Sequence, residues 1–189
     1  MNGLRIALIL LAAGRATRFG GGKLGAELAG KPLACHAADN LNSLPLFRRF
    51  VIYSPQTPEL PDFIKIPLDP PDAPLSRSIA TGVAALTDED AALFALADMP
   101  LVPTAHFAAL IARFDGDRIA TRVDGRNMVP AIFGRQHFAT LASLVGDRGA
   151  GVLLQDAPSI DLAPAQALDV DTQDDLERAQ VLLGAPRCI

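Results

Sequence analysis

The chain has 189 residues, 50% of them hydrophobic and 20% charged, with a formal net charge of -4. That length suits a single domain, residues 1–189, with a proper core, and the composition excludes global disorder. The mild acidity gives no electrostatic footprint for nucleic acid or anionic membrane, and Cys35 and Cys188, far apart in sequence, fit neither a disulfide scaffold nor a cysteine zinc site.

Taken in chain order, apolar strand-like runs alternate with helical patterns. Residues 5–11 form the first run. The stretch 6–13 resembles a short signal segment, but at eight residues it is far below the roughly 20 needed to cross a bilayer. No small-residue cleavage site follows, so it reads as a buried parallel strand in a cytoplasmic protein with reduced thiols. A helix is predicted from Lys31-Pro32 to about Asn42, then a strand over 49–54. Seven prolines between 55 and 75 forbid a helix and leave room for one short strand, 63–68. A helix over 76–86 and a strand over 92–97 follow, the latter running into Asp98-Met99-Pro100. Helical spacing of Phe107, Leu110, Ile111 and Phe114 marks a helix over 104–114. Strands over 118–123 and 128–133 flank Asp124-Gly125, a hairpin signal. Helices are predicted over 136–145 and 149–155, a last strand over 165–170, and a last helix over 172–183 with Thr172 as its N-cap. The alternation predicts an α/β fold with a mostly parallel sheet covered on both faces and some antiparallel pairing at one side.

The segment from Leu11 to Lys23 is the richest in chemistry. A buried strand runs into a loop with four glycines, two arginines and a lysine. Glycines let backbone N–H groups approach a polyphosphate and the cations supply counter-charge; a plain solvated loop is the other reading. A P-loop requires Ser or Thr after Gly-Lys, and Leu24 stands there. A dinucleotide fingerprint fails as well, because Arg15 and Ala16 follow Gly14. Asp98, at the carboxyl end of a buried strand, suits a magnesium ligand or, alone, a turn residue before Pro100. Asp169 and Asp171 lie two apart on an extended chain, on one side of it. They suit the same metal or the cap of the next helix; metal is favoured for Asp171 and the two readings weigh equally for Asp169.

The order of these motifs resembles the nucleotidyltransferases that make molybdenum cofactor dinucleotides. Leu11-Ala12-Ala13-Gly14, Arg18-Phe19-Gly20 and Lys23 carry the likeness, with Leu96-Ala97-Asp98-Met99-Pro100 and Asp169-Val170-Asp171-Thr172. The Ala12-Ala13 pair and Gly146-Asp147-Arg148-Gly149-Ala150 resemble the cytidylyltransferase branch. The resemblance implies a three-layer α/β/α Rossmann-like nucleotidyltransferase fold with a mixed, mostly parallel sheet. It implies an Mg2+-dependent transfer of a nucleoside monophosphate, from CTP in this branch, to a phosphorylated acceptor of the molybdopterin type. Leu11, Ala12, Ala13 and Gly14 would meet base and ribose. Arg18 and Lys23 would bind the triphosphate, and Asp98 and Asp171 would hold the metal. Ser76–Gly82 matches the family's base-binding segment, with Ser78 and Gly82 as contacts or, equally, as parts of an ordinary packed helix. No nucleic acid or membrane partner is expected, and self-association is weak or absent.

Departures from the pattern fall on the acceptor side. A Gly-His-Pro segment of the cytidylyltransferases is replaced by Gly125-Arg126-Asn127-Met128-Val129-Pro130, and the 55–75 stretch is short and proline-rich. GTP or a sugar 1-phosphate as substrate remains an alternative, and so does a non-catalytic nucleotide-binding module. His36, His106 and His137 lack metal-ligand spacing and read as surface or packing residues. Cys35 reads as a small core residue.

Overall fold

A computed structural model describes residues 3–14, 19–146 and 149–184. Its elements are β1 (Ile6–Ala12), β2 (Glu27–Leu28), β3 (Lys31–Pro32), α1 (Leu33–Asn42), β4 (Arg48–Tyr53), β5 (Ile64–Pro67) and α2 (Leu75–Ala84). They continue with β6 (Ala91–Leu96), α3 (Thr104–Arg113), β7 (Arg118–Val123), β8 (Arg126–Gly134), α4 (Phe138–Ala142), β9 (Ser159–Asp161) and α5 (Gln173–Gly184). Seven strands form one sheet in the order β5-β4-β1-β6-β8-β7-β9. Only β8 runs against the others. The mixed, mostly parallel sheet expected from the alternation is therefore present.

The side-chain period of a strand sorts β1 between two layers. Leu8, Leu10 and Ala12 pack with Ala34, Ala38 and Leu41 of α1 and with Phe107 and Leu110 of α3. Ile9 and Leu11 point the other way, into a cluster with Ile79 and Val83 of α2 and Leu141 of α4. A continuous apolar run is the signature of a strand buried on both faces, and all seven residues of β1 are buried. The stretch that resembles a short leader is thus an interior strand of the sheet, between β4 and β6. Among the described residues no helix is long and apolar enough to cross a membrane.

Proline sets three helix starts. Pro32, Pro74 and Pro103 stand immediately before α1, α2 and α3, with φ of -56°, -65° and -75°. Their fixed φ and missing N–H suit a helix entry. At the other end of the sheet, Asp124 (φ 47°) and Gly125 (φ 78°) both take left-handed geometry and close the β7–β8 hairpin.

Three expectations change. The 165–170 stretch is not a strand. Gln166 and Ala167 donate backbone hydrogen bonds to the Ala163 carbonyl, curling the chain after Pro164. The strand that joins the sheet is the earlier β9, parallel to β7. The 136–145 helix shrinks to α4, flanked by a short 3-10 turn at Arg135–His137. Ser143, whose hydroxyl donates to the Thr140 carbonyl, marks its end. The 149–155 helix is a 3-10 turn, Ala150–Leu153.

Candidate active site

β1 and β6 are parallel neighbours, with Leu11 opposite Leu96, so their carboxyl ends open at one place. Such ends are where open α/β sheets bind ligands. The Ala97 N–H donates to the Leu11 carbonyl at 3.0 Å and joins the two exits. Burial falls away along the β1 exit: Leu11 and Ala12 are buried, Ala13 is half-buried and Gly14 is exposed. Arg18, with Arg15, Ala16 and Thr17, lies outside the described residues, as do Asp147, Arg148 and Cys188.

Where the chain is described again, Gly20, Gly21 and Gly22 take φ of 88°, 101° and 63° in succession. Side chains other than glycine rarely enter this region, so the sequence run of three glycines has a backbone reason. It delivers Lys23 into a 3-10 turn. The Lys23 ammonium donates to Asp98 Oδ2 at 2.8 Å and to Asp171 Oδ1 at 2.9 Å, with only 11% of its side chain exposed. Burial alone would lower its pKa. The charge of Asp98 and hydrogen bonds to Asp98 and Asp171 outweigh that, and the pKa is raised.

Asp171 reaches Asp98 from the far end of the chain because of a small separate cluster. Leu168 and Val170 are buried with Phe19, Leu28, Leu33 and Ala179 of α5. Asp169 and Asp171 alternate with them and take the opposite side. Burying Leu168 and Val170 contributes about 2 kcal/mol each. The Val170 N–H donates to the Asp98 carbonyl at 3.0 Å, fixing the register. Thr172 then caps α5: its Oγ1 accepts from the Asp175 N–H at 3.2 Å, while the Asp175 carboxylate accepts from the Thr172 N–H at 3.0 Å. The expected cap is present, and it leaves the neighbouring Asp171 turned to Lys23.

Carboxylate oxygens of Asp98, Asp169 and Asp171 all lie within 4.8 Å of one another. Asp169 is exposed as a residue, yet its carboxyl is pushed up to about 7. Desolvation at the carboxyl is the largest cause and the Asp98 charge the next; Lys23 opposes both. Buried Asp98 Oδ1 has no hydrogen-bond partner among the described residues. An oxygen donor set of three converging carboxylates with an unpartnered buried oxygen fits a divalent cation. Asp169, which the sequence weighed evenly between metal and cap, sits within this group, and the cap belongs to Thr172.

Two contributors carry no sequence motif. Thr57 Oγ1 donates to the Ala12 carbonyl at 2.6 Å and accepts from the Ser54 N–H at 3.0 Å. Gln56 Oε1 accepts from the Gly22 N–H at 3.2 Å. Both follow β4, the other parallel neighbour of β1, and that placement is the only signal for them.

Ser78 and Gly82 lie on α2, away from the acidic group in sequence and element. Ser78 is fully buried and its Oγ has no partner among the described residues. Gly82 faces the sheet: a Cβ there would stand 2.6 Å from Ile9 Cγ2. The histidines make ordinary contacts, His36 with the Leu28 carbonyl, His106 with Thr121 and His137 with Asp117.

A family model described as the MobA-like NTP transferase domain matches residues 8–163, a span that includes Lys23 and Asp98 and ends before Asp169. No curated protein matches the sequence. Among solved structures, the Rv0371c homolog from Mycobacterium sp. strain JC1 superposes with a TM-score of 0.84 at 23% identity, covering 95% of this chain and 97% of that one. The manganese complex of Rv0371c from Mycobacterium tuberculosis H37Rv gives 0.78 at 20% identity, covering 94% and 98%. A nucleotidyl transferase from Methanothermobacter thermautotrophicus gives 0.80 at 19% identity, covering 95% and 98%. At these identities the likeness establishes the fold, an α/β sheet with helices on both sides.

Proposed function

The chain belongs to the family of MobA-like NTP transferase domains, and we propose that it transfers a nucleoside monophosphate from CTP to a phosphorylated acceptor of the molybdopterin type. Pyrophosphate is the second product. The observation that carries the reading is the Asp98–Asp169–Asp171 group with Lys23 at the shared exit of β1 and β6, beside the glycine-rich loop. We assign Mg2+ to Asp98 and Asp171, with Asp169 beside them. When bound, the ion supplies charge neutralisation for the triphosphate and the leaving pyrophosphate.

The chain's own groups position and compensate charge. Lys23 lies where its ammonium can exchange a carboxylate partner for a phosphate oxygen. Arg18 is assigned to the triphosphate by its place in the motif. Main-chain groups of Leu11, Ala12, Ala13 and Gly14 meet base and ribose, with the Ala12 carbonyl already held by Thr57. Ser78 is retained as a base-side contact by its place in Ser76–Gly82, the segment that matches the family's base-binding stretch. Gly82 supports that segment by letting α2 approach Ile9. An acceptor phosphate oxygen attacks the α-phosphorus in line; its new P–O bond forms as the bond to the β-phosphate oxygen breaks. Such transfer rests on positioning and electrostatic stabilisation, with no protein nucleophile required. We infer a cytoplasmic reaction from the sparse cysteines, which call for no oxidising compartment.

The test is pyrophosphate release with Mg2+, each of the four nucleoside triphosphates, and a panel of pterin and sugar phosphates. Turnover with CTP and a pterin phosphate is expected. Turnover with GTP alone would move the chain to guanylyl transfer, and tight CTP binding without turnover on any acceptor would make it a binding module.

A further inference from the structure

The turn that follows β4 reaches both ends of the glycine-rich loop. β1 and β4 are parallel, with Ala12 opposite Tyr53, so Ser54 leaves the sheet beside the β1 exit. Thr57 Oγ1 donates to the Ala12 carbonyl at 2.6 Å, where the loop begins. Gln56 Oε1 accepts from the Gly22 N–H at 3.2 Å, where it ends. On the other side of β1 the Ala97 N–H donates to the Leu11 carbonyl at 3.0 Å. Successive carbonyls of the β1 exit are thus held from its two sides.

The turn itself is stiff. It runs through Ser54, Pro55, Gln56 and Thr57, and the Thr57 N–H donates to the Ser54 carbonyl at 2.9 Å. Proline at the second position presets φ, and serine is favoured at the first. The Ser54 N–H donates in return to Thr57 Oγ1 at 3.0 Å. A hydroxyl carries one proton and can also accept, so Thr57 serves Ser54 with a lone pair and Ala12 with its proton. Valine has the same shape without either function, whereas serine keeps both.

Tying down the ends of this loop has a thermodynamic reason. Gly20, Gly21 and Gly22 all take positive φ. Glycine loses more conformational freedom than any other residue when it is fixed. Ends that are held before a ligand arrives lose less on binding, which favours affinity. The two attachment points also adjoin different parts of the nucleotide. Ala12 precedes Ala13 and Gly14, assigned above to base and ribose, and Gly22 precedes Lys23, assigned to the triphosphate. We propose that Thr57 and Gln56 are positioning residues: Thr57 sets the base and ribose end through Ala12, and Gln56 sets the phosphate end through Gly22. These roles rest on the nucleotidyl-transfer reading and divide its binding work between two side chains of one turn.

The experiment uses the full chain with Mn2+ and measures dissociation constants for CTP and CMP by calorimetry. The proteins are the wild type, Thr57→Val, Thr57→Ser and Gln56→Ala, each with its circular dichroism and urea midpoint. Thr57→Val should raise the constants for CTP and CMP alike, by about tenfold, and Thr57→Ser should return both to within about twofold of the wild type. Gln56 is exposed, so Gln56→Ala should raise the CTP constant by only about threefold and leave that of CMP unchanged. A merely structural hydrogen bond would lower the urea midpoint without separating the two ligands. Wild-type constants in Thr57→Val and Gln56→Ala overturn the proposal. So does a Gln56→Ala variant that weakens CMP as much as CTP, or a Thr57→Ser variant as weak as Thr57→Val. If Thr57→Val fails to fold, the split between CTP and CMP in Gln56→Ala and the affinities of Thr57→Ser still decide. If the wild type binds neither nucleotide, the nucleotidyl-transfer reading falls and both positioning roles fall with it.

Discussion

β6 is flanked by acid at both ends, and the two groups are held in opposite ways. Before the strand lie Asp88, Glu89 and Asp90. Arg5 pairs with Asp88, and its backbone N–H donates to Asp90 at 2.8 Å. Arg48 donates to Glu89 at 3.2 Å, and the Thr87 and Asp88 N–H groups donate to the other oxygen of that fully buried side chain. The two guanidinium groups lie 5.6 and 5.1 Å from the Phe47 ring centroid. Here each acid has a cation or a main-chain donor. After the strand, Lys23 bonds to both Asp98 and Asp171, Asp169 crowds them, and Asp98 Oδ1 is unpartnered among the described residues. The first group is compensated and holds strands together. The second brings three carboxylates together and leaves a buried Asp98 oxygen without a hydrogen-bond partner among the described residues. Acidic residues alone do not distinguish structure from chemistry; an unpartnered buried oxygen and a place at the carboxyl edge do.

The largest expected effect breaks the second group. Asp98→Asn keeps size and removes one negative charge, so turnover should fall by about a thousandfold or more while the thermal midpoint stays near that of the wild type. Wild-type turnover would remove Asp98 from the site. Breaking the first group should do the reverse. Glu89→Gln weakens the hydrogen bonds that the carboxylate accepts from Arg48 and from the Thr87 and Asp88 N–H groups and should cost about 1.5–3 kcal/mol in urea unfolding, with metal affinity unchanged.

Smaller effects sharpen the contrast. Gly82→Ala should cost about 1–2 kcal/mol, since the new Cβ meets a β-branched side chain in the sheet, and should leave the KM for CTP unchanged. A tenfold rise in that KM at unchanged stability would make Gly82 a direct contact of the base. The smallest effect is a pH dependence. The backbone hydrogen bond from Arg5, then the Arg5 charge, holds the Asp90 pKa below the usual 3.8. A folded pKa below the unfolded one gives stability that is complete above the unfolded value and lost as pH falls through the folded value. Wild type and Asp90→Asn should therefore differ slightly in stability at neutral pH and converge in acid; a constant difference down to pH 2 would contradict this.

Local patterns made much of this legible. Unbroken apolar character identified β1, Asp124-Gly125 identified the hairpin, and the position of Asp98 after an apolar strand placed it at the crevice. The period of two also put Asp169 and Asp171 on one side, although the segment is not a strand. It failed as a strand assignment because Leu168 and Val170 bury their side chains in a separate cluster, which gives the same alternation without sheet pairing. β9 was missed because a three-residue edge strand carries too little pattern to stand out. Gln56 and Thr57 reach the β1 exit only through the sheet order, a long-range fact that their own residues do not encode.

The converging acids after β6, with their open Asp98 oxygen, are proposed to bind a divalent cation, and the paired acids before it are not. Mn2+ titration by calorimetry on the wild type, Asp98→Asn and Glu89→Gln in the presence of CTP tests it directly. The account predicts saturable binding in the wild type and in Glu89→Gln, and its loss in Asp98→Asn. Equal binding by all three would contradict it.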